Sequence, residues 1–238
     1  MSKHLKRLAA PRTIQLHRKE KPWTTKASPG PHSLTQSIPL NLIVRDYLNL
    51  CDTYRESKRI IANGDLVVDG VKRKNHKFPC GFMDVISIPK LKKDFRVLFD
   101  QKGKLTLVPI SAPDAKWKLY RVENKAIVKG KKIQLNLHDG GNKIVDKDEY
   151  KPGDVLKISL ADKKISDVFP FSKGTVSMII GGSHIGQIAN IKDIEVTLSS
   201  KPNLAKMKGD KEFLTITEYI FPIGKTKPII ALPEVKMQ

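Results

Sequence analysis

The stretch from Thr53 to Gly70 constrains the fold most, because it contains a helix start, a helix stop and a turn in fixed order. Thr53 and Glu56 have the spacing of a capping box, in which both side chains bond free amides at a helix start. Asn63-Gly64 then ends the helix, since glycine adopts the left-handed conformation without steric cost. Asp69-Gly70 follows between short apolar runs and is a strong hairpin signal. The sequence therefore predicts a helix followed by a hairpin, which indicates an α+β fold.

The predicted helix has a cationic side and an apolar side. At about 100° per residue, Arg55, Lys58 and Arg59 share one side, while Ile60 and Ile61 lie on the other and are expected to be buried. The strand after the hairpin turn is also basic, and Arg45 projects from the preceding helix. Two adjacent basic surfaces suit contacts with the phosphates of a nucleic acid. The candidate contacts beyond the helix are Arg45, Lys72, Arg73 and Lys74.

The charge of the whole chain supports an anionic partner. It has 44 Lys and Arg against 24 Asp and Glu in 238 residues, a formal charge of +20. Such a surplus costs self-repulsion unless an anionic partner absorbs it, and nucleic acid is a better candidate than a membrane surface. No apolar run approaches the roughly 20 residues of a membrane span. Cys51 and Cys80 have neither disulfide-framework nor zinc-site spacing, which favours a reducing, cytoplasmic setting.

Residues 1–37 have the composition of a basic arm. Eight cations stand against Glu20 alone, four prolines interrupt the segment, and apolar residues are too few to order it. Trp23 lies among these cations, where it could stack on a base or pack on its own domain, and the sequence leaves both open. The candidate RNA contacts in the arm are Lys3, Lys6, Arg7, Arg12, Arg18 and Lys19.

The other elements are predicted from turn and strand patterns. Ser37 is expected to cap a first helix, with Pro39 in its first turn. Between residues 94 and 170, short strands separated by turns indicate a small central barrel or sandwich, interrupted by a short helix over Pro113–Tyr120. A strand is also predicted over Ile194–Leu198, and Ile220–Gly224 is expected to close a five-stranded barrel.

Nothing in these patterns indicates catalysis. His138-Asp139 lies on a turn without a second histidine at ligand spacing, and Gly181-Gly182 is followed by no helix that could meet a phosphate. We therefore predict no catalytic residue, no metal, no cofactor and no small-molecule substrate.

Two blocks resemble known modules. The run from Arg55 to Val71 resembles the S-four RNA-binding domain. The run Val176–Ile191, with Gly181, Gly182 and Gly186 at its turn, is similar to the KOW motif of SH3-like barrels. Ser183 and Gln187 depart from it, because many KOW loops carry basic residues there.

The order of these blocks resembles one family over essentially the whole chain. With His4–Pro11, Gly30-Pro31-His32, Gly81–Ile88 and a tail containing Pro228, the sequence resembles the archaeal and eukaryotic-type ribosomal protein S-four family. The resemblance implies a ribosome-bound, cytoplasmic component of the 30S subunit that binds 16S-type ribosomal RNA, contacts neighbouring small-subunit proteins, and supports subunit assembly and translation. It also implies an RNA surface made of Arg55, Lys58, Arg59, Lys72 and Arg73.

The sequence thus predicts a multidomain α+β chain in five segments. They are a basic N-terminal arm (1–37), an S-four-like domain of two helices and a β-hairpin (38–93), a central β domain (94–170), a KOW or SH3-like barrel (171–224) and a tail (225–238). Two alternatives remain open at this point. S-four-like domains also accompany RNA-modifying enzymes and a tRNA synthetase, and KOW motifs occur in transcription elongation factors.

Overall fold

The computed structural model describes residues 4–130, 132–209 and 211–232. It is mostly β, with few helices and several sheets, and it divides into two compact units. Unit 1 comprises Met1–Phe99 and Lys104–Lys118, and unit 2 comprises Asp100–Gly103 and Leu119–Gln238. Lys3, a candidate contact, lies outside the described residues, as does the end of the predicted tail.

Unit 1 is built around one antiparallel five-stranded sheet with the order β5-β4-β7-β8-β9. Short helices pack beside it. An α-helical turn, α1, continues as a π-helix over Ile43–Tyr47, and α2 follows. The strands and helices of this unit are β1 (Leu5–Lys6), β2 (Trp23–Thr24), β3 (Ser37–Pro39), α1 (Leu40–Leu42), α2 (Tyr54–Ala62), β4 (Val67–Val68), β5 (Val71–Lys72), β6 (Pro79–Gly81), β7 (Val85–Ile88), β8 (Lys93–Phe99) and β9 (Leu105–Ile110).

Two small pairings complete unit 1. β1 pairs with β2, and β3 pairs with β6, both antiparallel. Single turns of 3₁₀-helix occur at Arg7–Ala9, Leu34–Gln36, Pro89–Leu91 and Asp114–Lys116.

Unit 2 contains two antiparallel five-stranded sheets. Their orders are β12-β11-β10-β13-β14 and β18-β17-β16-β15-β19. Each has its own apolar core, one including Val122 and Leu156 and the other including Ile179 and Met207. The strands are β10 (Trp117–Val128, which starts in unit 1), β11 (Lys132–Leu137), β12 (Asn142–Val145), β13 (Val155–Ser159), β14 (Ile165–Phe169), β15 (Val176–Ile179), β16 (Ile188–Glu195), β17 (Leu204–Lys208), β18 (Glu212–Ile216) and β19 (Ile220–Gly224), with a 3₁₀ turn at Thr217–Tyr219.

The predicted start of the first helix is wrong. Ser37–Pro39 forms β3, because its backbone pairs with Pro79–Gly81. The Ser37 hydroxyl donates to the carbonyl of Ser33 at 2.7 Å instead of capping a helix. The helix starts at Leu40, after Pro39.

Two predictions in the β-rich part are also wrong. Most of the helix predicted over Pro113–Tyr120 is absent, since only Asp114–Lys116 makes a 3₁₀ turn and Trp117 begins the long strand β10. The strand predicted over Ile194–Leu198 ends at Glu195, and the following Leu198 is fully exposed. The sequence patterns also missed β17.

Residues 4–37 of the arm are ordered by polar contacts, contrary to the prediction. Arg7 is 1% exposed, and its Nε donates to the carbonyl of His17 at 2.7 Å. Ala10 and Ile14 are also buried. Farther along, Ser28 donates its backbone amide to the carbonyl of Lys77 at 2.9 Å. The low apolar content misled the prediction, because buried cations and backbone bonds do much of the packing.

Candidate nucleic-acid interface

Positive charge is concentrated in unit 1. This unit has 23 Lys and Arg against 9 Asp and Glu, a formal charge of +14, whereas unit 2 has 21 against 15, or +6. Several exposed cations of unit 2 are also paired with carboxylates. The pairs include Lys173–Asp193, Lys192–Glu212 and Lys206–Glu195, at 2.6–2.7 Å. Unit 1 therefore carries most of the net positive charge.

Helix α2 presents its cations to solvent as predicted. The capping box is formed, with the Thr53 hydroxyl accepting from the Glu56 amide at 3.3 Å. On the opposite side Ile61 is fully buried, while Ile60 is half-buried. The α2 face consists of Arg55, Lys58 and Arg59, all exposed and without an ion pair to any described residue.

A buried polar network fixes the orientation of α2. The Asn41 amide nitrogen of α1 donates to the Ser57 hydroxyl, which donates to the Tyr54 carbonyl at 2.9 Å. The Thr25 hydroxyl donates to the Asn41 amide oxygen at 3.0 Å, which joins the arm to this network. Asn41 and Ser57 are fully buried, so a rotation of α2 would leave buried polar groups without partners. The network therefore holds the α2 face toward solvent.

The hairpin has the predicted turn. Asp69 and Gly70 both have positive φ, 50° and 77°, as a two-residue turn of this type requires. Lys72 and Lys74 are exposed. Arg73 differs from the prediction of a free phosphate contact, because it is half-buried with its guanidinium 4.4 Å from the centroid of the Phe78 ring.

A buried ionic cluster holds this turn in place. Lys118 is fully buried, and its Nζ lies 2.6 Å from Asp84 Oδ1 and 2.8 Å from Asp69 Oδ2. His32 of the arm adds a contact of 3.0 Å to Asp84. Burial would raise the pKa of Asp84, but the charges of Lys118 and His32 hold that pKa below its ordinary value. At Asp69 burial and the charge of Asp84 outweigh the charge of Lys118, so the pKa of Asp69 is raised.

His76 and Lys77 lie beside the α2 face, and neither was among the contacts predicted from the sequence. The Tyr54 hydroxyl lies 2.7 Å from His76 Nε2. Burial, and then the charges of Lys58 and Lys77, lower the pKa of His76, so these cations lie close to the imidazole. Lys77 belongs to the basic run that begins at Lys72, and that run was the available signal.

The candidate residues of the arm divide into two groups. Lys6, Arg12 and Lys19 are exposed and stay candidates. The prediction that Arg7 and Arg18 contact RNA is corrected, because their guanidinium groups bond to other groups of the protein. Arg7 is buried near Glu20 and Asp46, at 3.4 and 3.6 Å. Arg18 donates to the carbonyls of Leu8, Ala10 and Pro11 at 2.7–3.2 Å.

Arg45 is also engaged within the protein. Its Nη2 lies 2.8 Å from the carboxylate of Asp46, and the side chain is only 12% exposed. Arg45 therefore adds positive charge just beneath the surface and is not a free contact for a phosphate.

The glycines of the KOW-like turn have packing roles. Gly182 and Gly186 have φ values of +79° and +80°, and a Cβ at Gly186 would collide with the backbone of Asp100. A Cβ at Gly181 would collide with the Tyr219 ring. Near them His184 stacks on Phe213, with ring centroids 4.1 Å apart. These contacts explain the glycines without a ligand.

The part of the chain that the structure describes contains neither a metal-binding cluster nor a candidate membrane span. Within them, no group of three or more His, Cys, Asp or Glu side chains is arranged to hold a metal. No helix in that part of the chain is long and apolar enough to cross a membrane. Burial raises the pKa of both thiols, Cys51 and Cys80, which disfavours the reactive thiolate.

Comparisons with known proteins agree on one family. The model of ribosomal family S4e matches residues 91–165, and the RS4NT (NUC023) domain model matches residues 1–35. Small ribosomal subunit protein eS4 of Methanosphaera stadtmanae is 49% identical over 97% of this chain and 95% of its own length. The protein of the same name from Archaeoglobus fulgidus is 46% identical over 96% of this chain and 97% of its own.

A solved structure is also similar. The crystal structure of the 30S ribosomal protein S4e from Thermoplasma acidophilum matches with a TM-score of 0.71 and 40% identity, covering 80% of this chain and 96% of that one. The resemblance inferred from the order of the sequence blocks is thereby confirmed, and the enzymatic alternative is set aside. The chain belongs to the S4e family of ribosomal proteins, and it is a structural protein rather than an enzyme.

Proposed function

We propose that the chain is a component of the small ribosomal subunit that binds 16S-type ribosomal RNA through unit 1, and that it supports subunit assembly and translation in this way. The observation that carries the proposal is the α2 face, because three exposed cations project together from a helix whose orientation is fixed by buried hydrogen bonds. Relatives named as small ribosomal subunit proteins support the proposed location in that subunit.

The proposed contact surface combines the α2 face with nearby exposed cations. Lys72 and Lys74 flank the half-buried Arg73 just beyond the hairpin turn. Cations on a rigid surface position a phosphate backbone without reading its sequence. Each phosphate they neutralise releases counterions, so binding weakens as salt rises. The remaining proposed contacts are Lys6, Arg12 and Lys19 of the arm.

The five-segment organisation is part of this proposal. We assign residues 38–93 to an S-four-type domain, since they contain α1, α2 and the β4–β5 hairpin. We assign residues 171–224 to a KOW-type barrel, which the sheet of β15–β19 supports. The paired lysines of that sheet favour contact with neighbouring ribosomal proteins over contact with RNA. The protein acts in the cytoplasm, bound to the ribosome.

Salt-dependent RNA binding tests the proposal. The affinity of the full chain for a fragment of small-subunit rRNA is measured by anisotropy at several KCl concentrations. The triple variant Arg55→Ala, Lys58→Ala and Arg59→Ala should bind more weakly and reduce the slope of log K against log salt by about 2 to 3, since each phosphate contributes roughly 0.7–0.9.

A charge-matched control separates the α2 face from overall charge. Lys129, Lys147 and Lys201 are exposed residues of unit 2 without an ion pair to a described residue. Their triple alanine variant loses the same charge and should change the slope by less than about 1. Equal slopes for the α2 variant and the unaltered chain would refute the proposed interface. Co-purification with RNA polymerase instead of 30S particles would favour an elongation factor.

A further inference from the structure

A groove in unit 1 combines exposed aromatic rings with cations. It has a volume of about 500 Å³. Trp23 is 55% exposed and Tyr54 is 40% exposed, and both line it. The cations in its lining are Lys26, Arg45 and Lys77. We call it the Trp23 groove.

Trp23 also lines a second basic groove, which has a volume of about 470 Å³. Its cations are Lys6, Arg18, Lys19 and Lys21. This large apolar ring lines two cationic grooves and remains partly in water, although burying it would be favourable. The ring is therefore available to a flat, anionic ligand.

The aromatic side chains are held in place by neighbours. Trp23 lies on β2, opposite Lys6 of β1, and its ring is 5.8 Å from the ring of His4 with an interplanar angle of 57°. The Tyr54 and His76 rings are arranged in a T shape, with centroids 5.5 Å apart and an interplanar angle of 85°, in addition to the hydroxyl contact at 2.7 Å. Ordered rings lose little conformational entropy when a ligand stacks on them.

We propose that the Trp23 groove binds an unpaired nucleotide of RNA, with its base stacked on the indole and its phosphates beside Lys26 and Lys77. Stacking on aromatic rings is how proteins bind single-stranded nucleic acid, because every base has a π-face. Bases inside a duplex are already stacked and do not offer that face. The inference rests on the proposed function and deepens it, since it adds a single-strand site to a surface that otherwise contacts phosphates.

One feature distinguishes this site from the α2 face. The α2 face has cations alone and should treat single-stranded and double-stranded RNA according to their phosphates. The Trp23 groove adds a contact that needs an exposed base. Loss of the indole should therefore weaken the binding of single strands and leave the salt dependence unchanged.

Trp23 fluorescence reports the proposed stacking directly. The full chain is prepared with Trp117→Phe, so that Trp23 is its sole tryptophan and an aromatic ring stays beneath Arg96, which lies 4.3 Å from the Trp117 centroid. The probes are hexauridylate, an abasic hexanucleotide of equal charge and a short RNA duplex. Hexauridylate should quench the fluorescence, and the abasic strand and the duplex should not.

Anisotropy of labelled probes then measures the contribution of the indole. Trp23→Ala should weaken hexauridylate binding by about 5- to 140-fold, the range of base–aromatic stacking. It should leave the affinity for the abasic strand unchanged, and Trp23→Phe should fall between. Ile127→Ala removes a residue of unit 2 that is 82% exposed and serves as the control, with less than about a twofold effect.

The outcomes separate this inference from the proposed function. If the abasic strand binds as tightly as hexauridylate, or if Trp23→Ala binds hexauridylate normally, the stacking site is refuted while salt-dependent rRNA binding can stand. If Trp23→Ala loses both probes equally, the groove is a phosphate site and the stacking inference is again refuted. Failure of the proposed function would appear instead as an α2 variant with an unaltered salt slope.

Discussion

Replacing Lys118 with methionine should destabilise unit 1 strongly, and the effect should depend on pH. Lys118 is fully buried and lies within 2.8 Å of both Asp69 and Asp84. Its removal leaves two carboxylates without their central cation in a site where water screens little. Breaking a buried ion pair in this way costs about 3–5 kcal/mol, so we expect a loss in that range at pH 8.

The pH dependence follows from the direction of the pKa changes. In the unaltered chain Lys118 and His32 keep the pKa of Asp84 low, so that Asp84 adds stability above its unfolded pKa of about 3.9. This contribution is lost as pH falls from that value through the lower folded-state pKa. Without Lys118 the folded-state pKa values of Asp69 and Asp84 rise. A carboxyl group whose folded-state pKa is raised adds stability only at low pH, and this stability is lost as pH rises through the folded-state pKa. The difference between variant and unaltered chain should therefore be larger at pH 8 than at pH 5.

Urea unfolding followed by tryptophan fluorescence measures this difference. Both tryptophans, Trp23 and Trp117, belong to unit 1, so the signal reports that unit. Lys116→Met is the matched control, because Lys116 is exposed two positions away and should change stability by less than about 0.5 kcal/mol. Adding Asp84→Asn to Lys118→Met should recover part of the loss. A loss below about 1 kcal/mol that is equal at pH 5 and pH 8 would refute the reasoning.

Two further substitutions test the packing of the turn and the helix start. Gly186→Ala should lower the melting temperature of unit 2 more than Gly174→Ala, since both positions have positive φ but only the Cβ at 186 would collide with Asp100; equal shifts by circular dichroism would contradict this packing role. Thr53→Ala should lower the free energy of unfolding by about 1 kcal/mol, because it removes the acceptor for the Glu56 amide, and Thr53→Ser should restore it. A neutral Thr53→Ala in urea unfolding would show that the capping box contributes little.

Local signals in the sequence predicted α2 and its hairpin well. The capping box and the Asp69-Gly70 turn depend on residues within a few positions of one another, and both form as expected. The exposed α2 face follows from helical periodicity alone. These features need no knowledge of the rest of the fold.

Elements that depend on distant partners were predicted poorly. Ser37–Pro39 has the composition of a helix start, yet it is a strand because Pro79–Gly81 lies alongside it. Trp117–Val128 is a long strand that lies between β11 and β13 in its sheet, and β11 pairs with its second half, Val122–Val128. The helix predicted over Pro113–Tyr120 rested on local composition, which does not show these partners. Pairing over such separations cannot be inferred from local composition.

The candidate contacts show the same limit. Arg7 and Lys19 have equal standing in the sequence as arm cations, but Arg7 is buried against a carbonyl and Lys19 is exposed. No pattern in the sequence predicted the burial of Lys118, because nothing near it in the sequence indicates its distant partners Asp69 and Asp84. Charge in the sequence therefore suggested the proposed surface, while burial decided which of its residues remain candidates.

Sucrose-gradient sedimentation tests the central claim most directly. In lysates of cells that produce the chain, the unaltered protein should migrate with small-subunit particles at moderate salt. The triple variant Arg55→Ala, Lys58→Ala and Arg59→Ala should shift toward the top of the gradient as salt is raised, at concentrations where the Lys129, Lys147 and Lys201 control stays with the particles. Migration of the unaltered protein away from the small subunit would contradict the account.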